Sequence, residues 1–449
     1  MKKLLLSIVS ISLVLFNTVN VYANDVSDEE YISAEEIYIN PVYEGIVTEE
    51  DILGIQSVDF SDGETAPLFE TKDEAAIYLR GKIENHEPEV ELQYTYPLSE
   101  VVGETTPYAQ AQGSDILERV WAHTGNPTQG DYLRWHYGGC TIQTSGSLVN
   151  GTYYVMTYTY VNILYYTTAA EEVAVGTEID RILNDLDVYN ESDYVKAVAV
   201  YNWITTNVRY DNDHLDDESY KKQYTAYAAL FDGTCVCQGY ANLFYRMMLT
   251  LGVDNRMITG NNHAWNIVKI GNYYYDLDAT WDEGVPVEDW EYFLIDEASF
   301  SFKHPRKPEY TTTEFMETYP MAEYRFTEVT TLAFDEETME KPVGDTGKLS
   351  VHVQPDTEAA RHALTFTSSN PDIVEISNDG QYVCKQKGMV TMTVSHPDGH
   401  SASMQMNVTS TYSGWKDIDG NTYYYVNGEY VTGIQEIEGK TYVFDGQGR

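Results

Sequence analysis

Basic residues are scarce in this sequence: 27 Lys and Arg stand against 71 Asp and Glu, a formal net charge of −44. Nucleic acid and anionic lipid are held by clustered cations that displace counterions, so neither is expected as a partner. Cysteine is also rare, with four in 449 residues. That excludes a disulfide-stapled scaffold, which crowds its cysteines into a short chain. Long apolar runs are missing beyond the N-terminus, and no later segment approaches the ~20 apolar residues that cross a bilayer. What is abundant is tyrosine, 39 residues, within a hydrophobic content of 43% that can fill real cores. Such a chain is no disordered polymer. Its 449 residues exceed one ordinary core and fit three or four domains.

The single long apolar run, residues 4–16, follows Lys2 and Lys3 and precedes Val21-Tyr22-Ala23, a small-residue cleavage site before Asn24. It is too short to span a bilayer, so residues 1–23 read as a removable secretory signal and the protein is expected outside the cell. Residues 24–70 are acidic and lack periodicity, the pattern of a leader or linker. An accessory α/β region is expected over 71–170. It begins with a helix from Thr71 through Ala75, Ala76, Tyr78 and Leu79, then a strand over 90–96. A second helix over 115–123 is capped by Ser114, and strands fill the Tyr-, Thr- and Val-rich stretch 151–166. Ser192 caps a further helix from Asp193 to about Asn207, with Val195, Val198, Ala199, Trp203 and Ile204 on one face. The densest acidic cluster, Asp211, Asp213, Asp216, Asp217 and Glu218, lacks the glycine and terminal glutamate of an EF-hand loop, so specific Ca²⁺ binding is not expected there.

Two stretches carry chemistry. The first is Gly233-Thr234-Cys235-Val236-Cys237-Gln238-Gly239-Tyr240-Ala241. Ala241, Phe244, Met248 and Leu251 then recur at helical spacing before Gly252, so an amphipathic helix starts at Cys237 and closes at a glycine. A thiol at a helix N-terminus feels the positive end of the dipole, which favours the reactive thiolate. The unpaired N–H groups there can hold a developing oxyanion. Cys235 lies before the helix and gains less, and a disulfide between residues so close would be strained. Cys237 is the candidate nucleophile.

The second stretch runs from His263 through Ile270 to Gly271-Asn272, then Tyr273-Tyr274-Tyr275-Asp276-Leu277-Asp278. Two apolar runs around Gly-Asn predict a hairpin with a two-residue turn. Its register pairs 270 with 273, 268 with 275 and 263 with 280. His263 and Asp278 become diagonal neighbours about 7–8 Å apart at Cα, and their side chains can meet. Asp278 can then accept one imidazole N–H and leave the other nitrogen for Cys237. Asp276 shares that face but lies farther along, and a one-residue slip would turn Asp278 away.

Cys237-Gln238-Gly239-Tyr240-Ala241, His263-Ala264-Trp265-Asn266 and Asp278-Ala279-Thr280-Trp281-Asp282 resemble, in order, the three motifs of the transglutaminase-like superfamily. The resemblance implies a multidomain α+β protein with a papain-like catalytic core over 171–310. It places nucleophile, base and orienter on Cys237, His263 and Asp278, and it implies acyl transfer through a thioester without metal or organic cofactor. The N–H of Cys237 is the first oxyanion donor, with Trp203, Tyr240 and Gln238 as candidates for a second. Trp265 and Trp281 either wall the acyl site or pack in the core. The expected substrate is extracellular or wall-associated protein. Sequence leaves open whether an amine or water resolves the thioester, hence whether the enzyme cross-links or acts as a peptidase or amidase. A non-catalytic adhesin is the alternative of another class.

Residues 311–326 read as a linker, and from 327 to 409 the pattern changes to short alternating strands. Leu364-Thr365-Phe366-Thr367-Ser368-Ser369-Asn370-Pro371-Asp372-Ile373-Val374, with Gly388 ahead of a strand at Val390, resembles the bacterial group 2 immunoglobulin-like domain, a β-sandwich. In 410–449, Trp415-x4-Gly420-x2-Tyr423-Tyr424-Tyr425 recurs as Ile434-x4-Gly439-x2-Tyr442-Val443-Phe444. This resembles cell-wall-binding repeats of the choline- and glucan-binding type, which are aromatic β-hairpins. It implies a wall polysaccharide or teichoic acid ligand and a wall-associated location.

Overall fold

The computed structural model describes residues 31–43, 46–55, 66–215, 217, 219–409, 412–426 and 428–449. The secretory signal expected over 1–23 lies outside them, as do Asp216 and Glu218 of the acidic cluster. In chain order the first elements are β1 (Tyr31–Ile39), α1 (Glu49–Leu53), β2 (Leu68–Phe69), α2 (Lys72–Glu84), β3 (Val90–Pro97), α3 (Thr105–Val120), α4 (Asp131–Trp135), β4 (Tyr137–Val149) and β5 (Tyr153–Tyr165). Then come α5 (Ala169–Leu186), α6 (Asp193–Asn207), β6 (Arg209–Tyr210), β7 (Thr234–Cys235), α7 (Cys237–Thr250), β8 (Asn255–Gly260), β9 (His263–Ile270) and β10 (Tyr273–Leu277). The chain forms two compact units: the described residues up to Ile182 with Asn207–Gly252, and Leu183–Thr206 with Val253–Arg449.

The first unit is built on a sheet of order β1-β4-β5-β3-β2, covered by α2 and α3. Thr71 caps α2 by accepting the Glu74 N–H, and Ala75, Ala76, Leu79 and Ile83 are buried. The dense tyrosines have a physical reason. Tyr158 and Tyr160 are fully buried, and their hydroxyls donate to the carbonyls of Ala109 and Gly113 on α3, at 2.8 and 3.0 Å.

Two expectations are corrected here. The leader expected over 24–70 contains β1, which pairs antiparallel with β4 from Tyr31↔Ser147 to Ile39↔Gly139. Its two adjacent acids hid the alternation; Glu36 accepts the Ser114 hydroxyl at 2.6 Å. Ser114 is therefore no N-cap, and α3 begins ten residues earlier than the helix expected at 115, at Thr105. Buried Gln110, Gln112 and Gly113 obscured its apolar face. A Cβ on Gly113 would lie 2.7 Å from the Tyr158 ring, so the glycine is what lets helix and sheet approach.

Helix α7 starts at Cys237 as expected, but every residue from Cys237 to Leu249 is buried, so it is a central helix and not a one-faced one. Its only charge, Arg246, is held by Glu172 of α5 at 2.5 Å and by the Tyr132 hydroxyl of α4.

In the second unit, β10-β9-β8 form an antiparallel sheet. The β9–β10 ladder has the expected register, Tyr273↔Ile270 through Leu277↔Asn266. Strand β8 was not anticipated; it joins β9 through Asn261-Asn262, both at positive φ (48° and 58°), as a type I′ hairpin turn requires. Downstream, strands Thr338–Pro342, Ser401–Thr409, Gly388–Ser395 and Thr365–Ser368 form one sheet, and Thr346–Lys348, Gln381–Cys384 and Val374–Ile376 another. Val390, Met392, Val394, Met404, Met406 and Val408 fill the core with Phe366 and Tyr382. The C-terminal repeats form hairpins Gly414–Ile418/Asn421–Val426 and Gly433–Ile437/Lys440–Phe444. The Trp415 ring of the first packs on Tyr442 of the second, 4.7 Å between centroids. Among the described residues no helix is long and apolar enough to cross a membrane.

Candidate active site

Cys237 belongs to the first unit. It is the first residue of α7 and 7% exposed, whereas Cys235 is 0% exposed. Val236 occupies the N-cap with no side-chain hydrogen bond to the helix end. The first turn thus keeps its positive end uncapped by a side chain beside the thiol. Gly239 explains the buried neighbour: a Cβ there would lie 2.6 Å from the Cys235 sulfur and 3.1 Å from the Thr225 carbonyl. Cys235 is packed into the turn that carries Cys237. Tyr43, fully buried against Trp135, Tyr166 and Tyr224, adds a hydroxyl whose proton burial holds firmly in place.

His263 and Asp278 meet in the second unit. His263 Nε2 lies 2.6 Å from Asp278 Oδ2. The meeting is achieved differently from the expected ladder. Pairing ends at Leu277↔Asn266, and 280 does not pair with 263. Asp278 instead turns the chain with its own carboxylate, whose Oδ1 accepts the N–H groups of Thr280 and Trp281 at 2.9 and 3.3 Å. Its N–H donates to the Tyr292 carbonyl and its carbonyl accepts the Tyr201 hydroxyl, so α6 and the 290s segment hold the turn. Asp282, last residue of the third motif, accepts the same hydroxyl at 2.7 Å and the N–H groups of Glu291 and Tyr292.

A residue that sequence reasoning missed completes this group. His304 Nε2 also reaches Asp278 Oδ2, at 2.9 Å. A lone histidine in a loop has no periodic partner to betray it. Its position depends on Gly260, where an added Cβ would fall 1.8 Å from the Pro305 carbonyl oxygen. The Lys307 N–H donates to the Thr259 carbonyl beside it, which docks the 304–307 segment on the end of β8.

Burial alone would push the Asp278 carboxyl up. Hydrogen bonds and charge from the two imidazoles outweigh it and hold the group below the usual carboxylate range. Asp276, one step back on the strand, behaves oppositely: full burial pushes it up to about 6 although Arg306 is 2.8 Å away. It accepts the Trp265 indole N–H at 2.9 Å. Trp265 is therefore a core residue, 1% exposed, while Trp281 is 44% exposed with its ring 5.7 Å from His263. Of the two tryptophans, Trp281 is the one able to meet a substrate.

The three donor atoms of His263, Asp278 and His304 lie within 4.8 Å of one another, as metal ligands would. Two ligands about 2.0 Å from a tetrahedral Zn²⁺ sit about 3.3 Å apart. Separations of 2.6 and 2.9 Å onto a single oxygen are hydrogen bonds, and the group reads as a proton-handling set.

Comparison with known families identifies two of the domains. Residues 181–279 match the family model described as the transglutaminase-like superfamily, and residues 328–406 that of the bacterial Ig-like domain (group 2). The chain carries a transglutaminase-like domain and a bacterial Ig-like domain. Among curated proteins, the kyphoscoliosis peptidase of Mus musculus is 25% identical over 133 residues, 26% of this chain and 20% of its own length. That of Homo sapiens is 24% identical over 132 residues, with the same two shares. The chain thus spans about a fifth of the length of the curated relatives it matches. Among solved structures, a crystal structure of a TGase aligns at 12% identity and TM-score 0.24, over 48% of this chain and 60% of that one. A C-terminal intimin fragment in complex with the intimin-binding domain of its translocated receptor aligns at 20% identity and TM-score 0.16, over 18% and 33%. Cys237, His263 and Asp278 lie within the residues matched to the transglutaminase-like model, and His304 lies beyond them.

Proposed function

We propose that the protein is a secreted cysteine acyl-transfer enzyme acting on protein amides, with Cys237 as nucleophile, His263 as base and Asp278 as orienter. The observation that carries this is the short bond between His263 Nε2 and Asp278 Oδ2. A buried carboxylate that fixes Nε2–H assigns Nδ1 to the thiol and supports the imidazolium once it forms.

The chemistry then follows. Nδ1 takes the Cys237 proton, and the thiolate adds to a carboxamide or peptide carbonyl. The tetrahedral oxyanion, held by the Cys237 N–H, collapses with cleavage of the C–N bond, and the imidazolium returns its proton to the departing nitrogen. The resulting thioester is attacked by an amine or by water, whose proton passes through His263 to restore the thiol. The peptidase name of the curated relatives supports hydrolysis as the second reading; the group that reaches the thioester decides between them. Secretion rests on the N-terminal signal, and wall association on the two aromatic hairpins, whose exposed Trp415 offers a face for a cationic or sugar ligand.

Intact-mass labelling with iodoacetamide across pH tests the core of this function in the wild type, Cys237→Ala and His263→Ala. Fast labelling near neutral pH that both variants abolish is expected. Slow labelling unchanged by His263→Ala would leave the adhesin as the better description. Amine incorporation into casein, against the appearance of new protein termini, then separates transfer from hydrolysis.

A further inference from the structure

The three sequence motifs leave His304 without a role, yet its ring is built into the site with unusual completeness. Its side chain is 1% exposed. Phe300 stacks on it at 4.0 Å, Trp281 lies at 4.3 Å, Trp265 at 5.2 Å and Tyr292 at 5.7 Å between ring centroids. One nitrogen, Nε2, faces Asp278 Oδ2, and the other, Nδ1, is buried without a hydrogen-bond partner among the described residues. An N–H on Nδ1 would be a desolvated donor in an aromatic cage, whereas a bare Nδ1 lone pair costs less. The surroundings therefore favour a proton on Nε2, where Asp278 can accept it.

Asp278 needs that donor. Its Oδ1 is committed to the backbone of its own turn, and Oδ2 accepts from both imidazoles. With one donor removed, a carboxylate pinned at Oδ1 can pivot about that anchor and carry the His263 ring with it.

We propose that His304 is a positioning residue of the site, an Nε2–H donor that clamps the Asp278 oxygen on which His263 is oriented. It rests on the acyl-transfer function proposed above. The clamp works in a definite electrostatic setting. From α6, Tyr201 bonds the Asp278 carbonyl and Asp282; Asp282 raises the local negative charge; Lys303 donates to the Tyr292 hydroxyl; and the Asp276–Arg306 pair, with Glu297 near Arg306, lies behind Trp265. Against these charges the clamp keeps Asp278 ionised to lower pH, in the direction its two imidazole bonds already impose.

Two measurements on the full chain test it. First, iodoacetamide labelling of Cys237 is followed against pH in wild type, His304→Leu, His304→Gln and His263→Ala, each with its thermal midpoint. Gln can place a donor near the Nε2 position and Leu cannot. Expected is a loss of about tenfold or more at neutral pH in His304→Leu, with the acid limb moved to higher pH, and recovery to within about threefold in His304→Gln. A folded His304→Leu with wild-type rate and acid limb overturns the clamp, while loss in His263→Ala alone leaves the underlying function standing. If His263→Ala labels like wild type, the function and the clamp fall together. Second, ¹⁵N-histidine spectra of the wild type need no folded variant at position 304 except to mark its signals. The His304 signals are expected to show an Nε2–H donor bonded to the Asp278 carboxylate. A His304 ring protonated on Nδ1 alone, with Nε2 bare toward Asp278, overturns the proposal.

Discussion

His263 presents Nε2 to Asp278, 2.6 Å from Oδ2, on a carboxylate whose other oxygen caps its own turn. Asp278→Asn keeps the size but loses the charge, so the imidazolium loses its support. Thiol labelling and turnover are both expected to fall about 10³- to 10⁴-fold. A labelling rate within a few-fold of wild type would remove Asp278 from the mechanism.

The two neighbouring cysteines should separate cleanly. Cys235 is sealed under Gly239 and 0% exposed, while Cys237 begins the helix. Cys235→Ala is expected to keep fast labelling and to lower the thermal midpoint through a small cavity, a cost of about 1 kcal/mol. Cys237→Ala should abolish fast labelling with little change in midpoint. Mass spectrometry of the labelled peptide distinguishes the two residues directly.

Arg246 and Glu172 form a buried ion pair between α7 and α5, joined by Tyr132. Removing one partner strands a charge, so Arg246→Met is expected to cost about 3–5 kcal/mol in denaturant unfolding. Arg246→Met with Glu172→Gln should recover a large part of that loss. An additive double variant would show that the two residues do not act as a pair.

Gly260→Ala should be costly although it adds a single methyl group. Its Cβ would collide with the Pro305 carbonyl, so the 304–307 segment must move. A destabilisation of about 1–3 kcal/mol is expected, with altered tryptophan fluorescence because Trp265 and Trp281 both contact His304.

Asp278 also makes stability depend on acid. Its folded carboxyl titrates below the unfolded value of about 3.9, so its contribution is complete above that pH and is lost as pH falls through the folded value. The gap in thermal midpoint between wild type and Asp278→Ala should therefore narrow from pH 6 to pH 3. A gap that stays constant would mean the carboxyl is not held low.

Much of the site was legible because its signals are local. The Gly271-Asn272 turn fixes the β9–β10 register as far as Leu277↔Asn266, one residue short of Asp278. The start of α7 at Cys237 follows from its apolar spacing. Where the chain departs from ideal periodicity, reading it fails. Strand β1 carries adjacent acids, α3 turns glutamines and a glycine inward, and Asp278 leaves the ladder through an Asx-type turn of its own.

By itself, then, the sequence determined the transglutaminase-like and Ig-like domain types and the hairpin register, since period, turn chemistry and spacing act over a few residues. Only the tertiary structure decided that Trp265 is core and Trp281 exposed, that β1 closes the edge of a sheet more than a hundred residues away, and that His304 shares the Asp278 oxygen. Those outcomes depend on which distant segments can approach closely enough. At the site, approach is permitted by a missing Cβ at Gly260 and made favourable by the aromatic cage around the His304 ring.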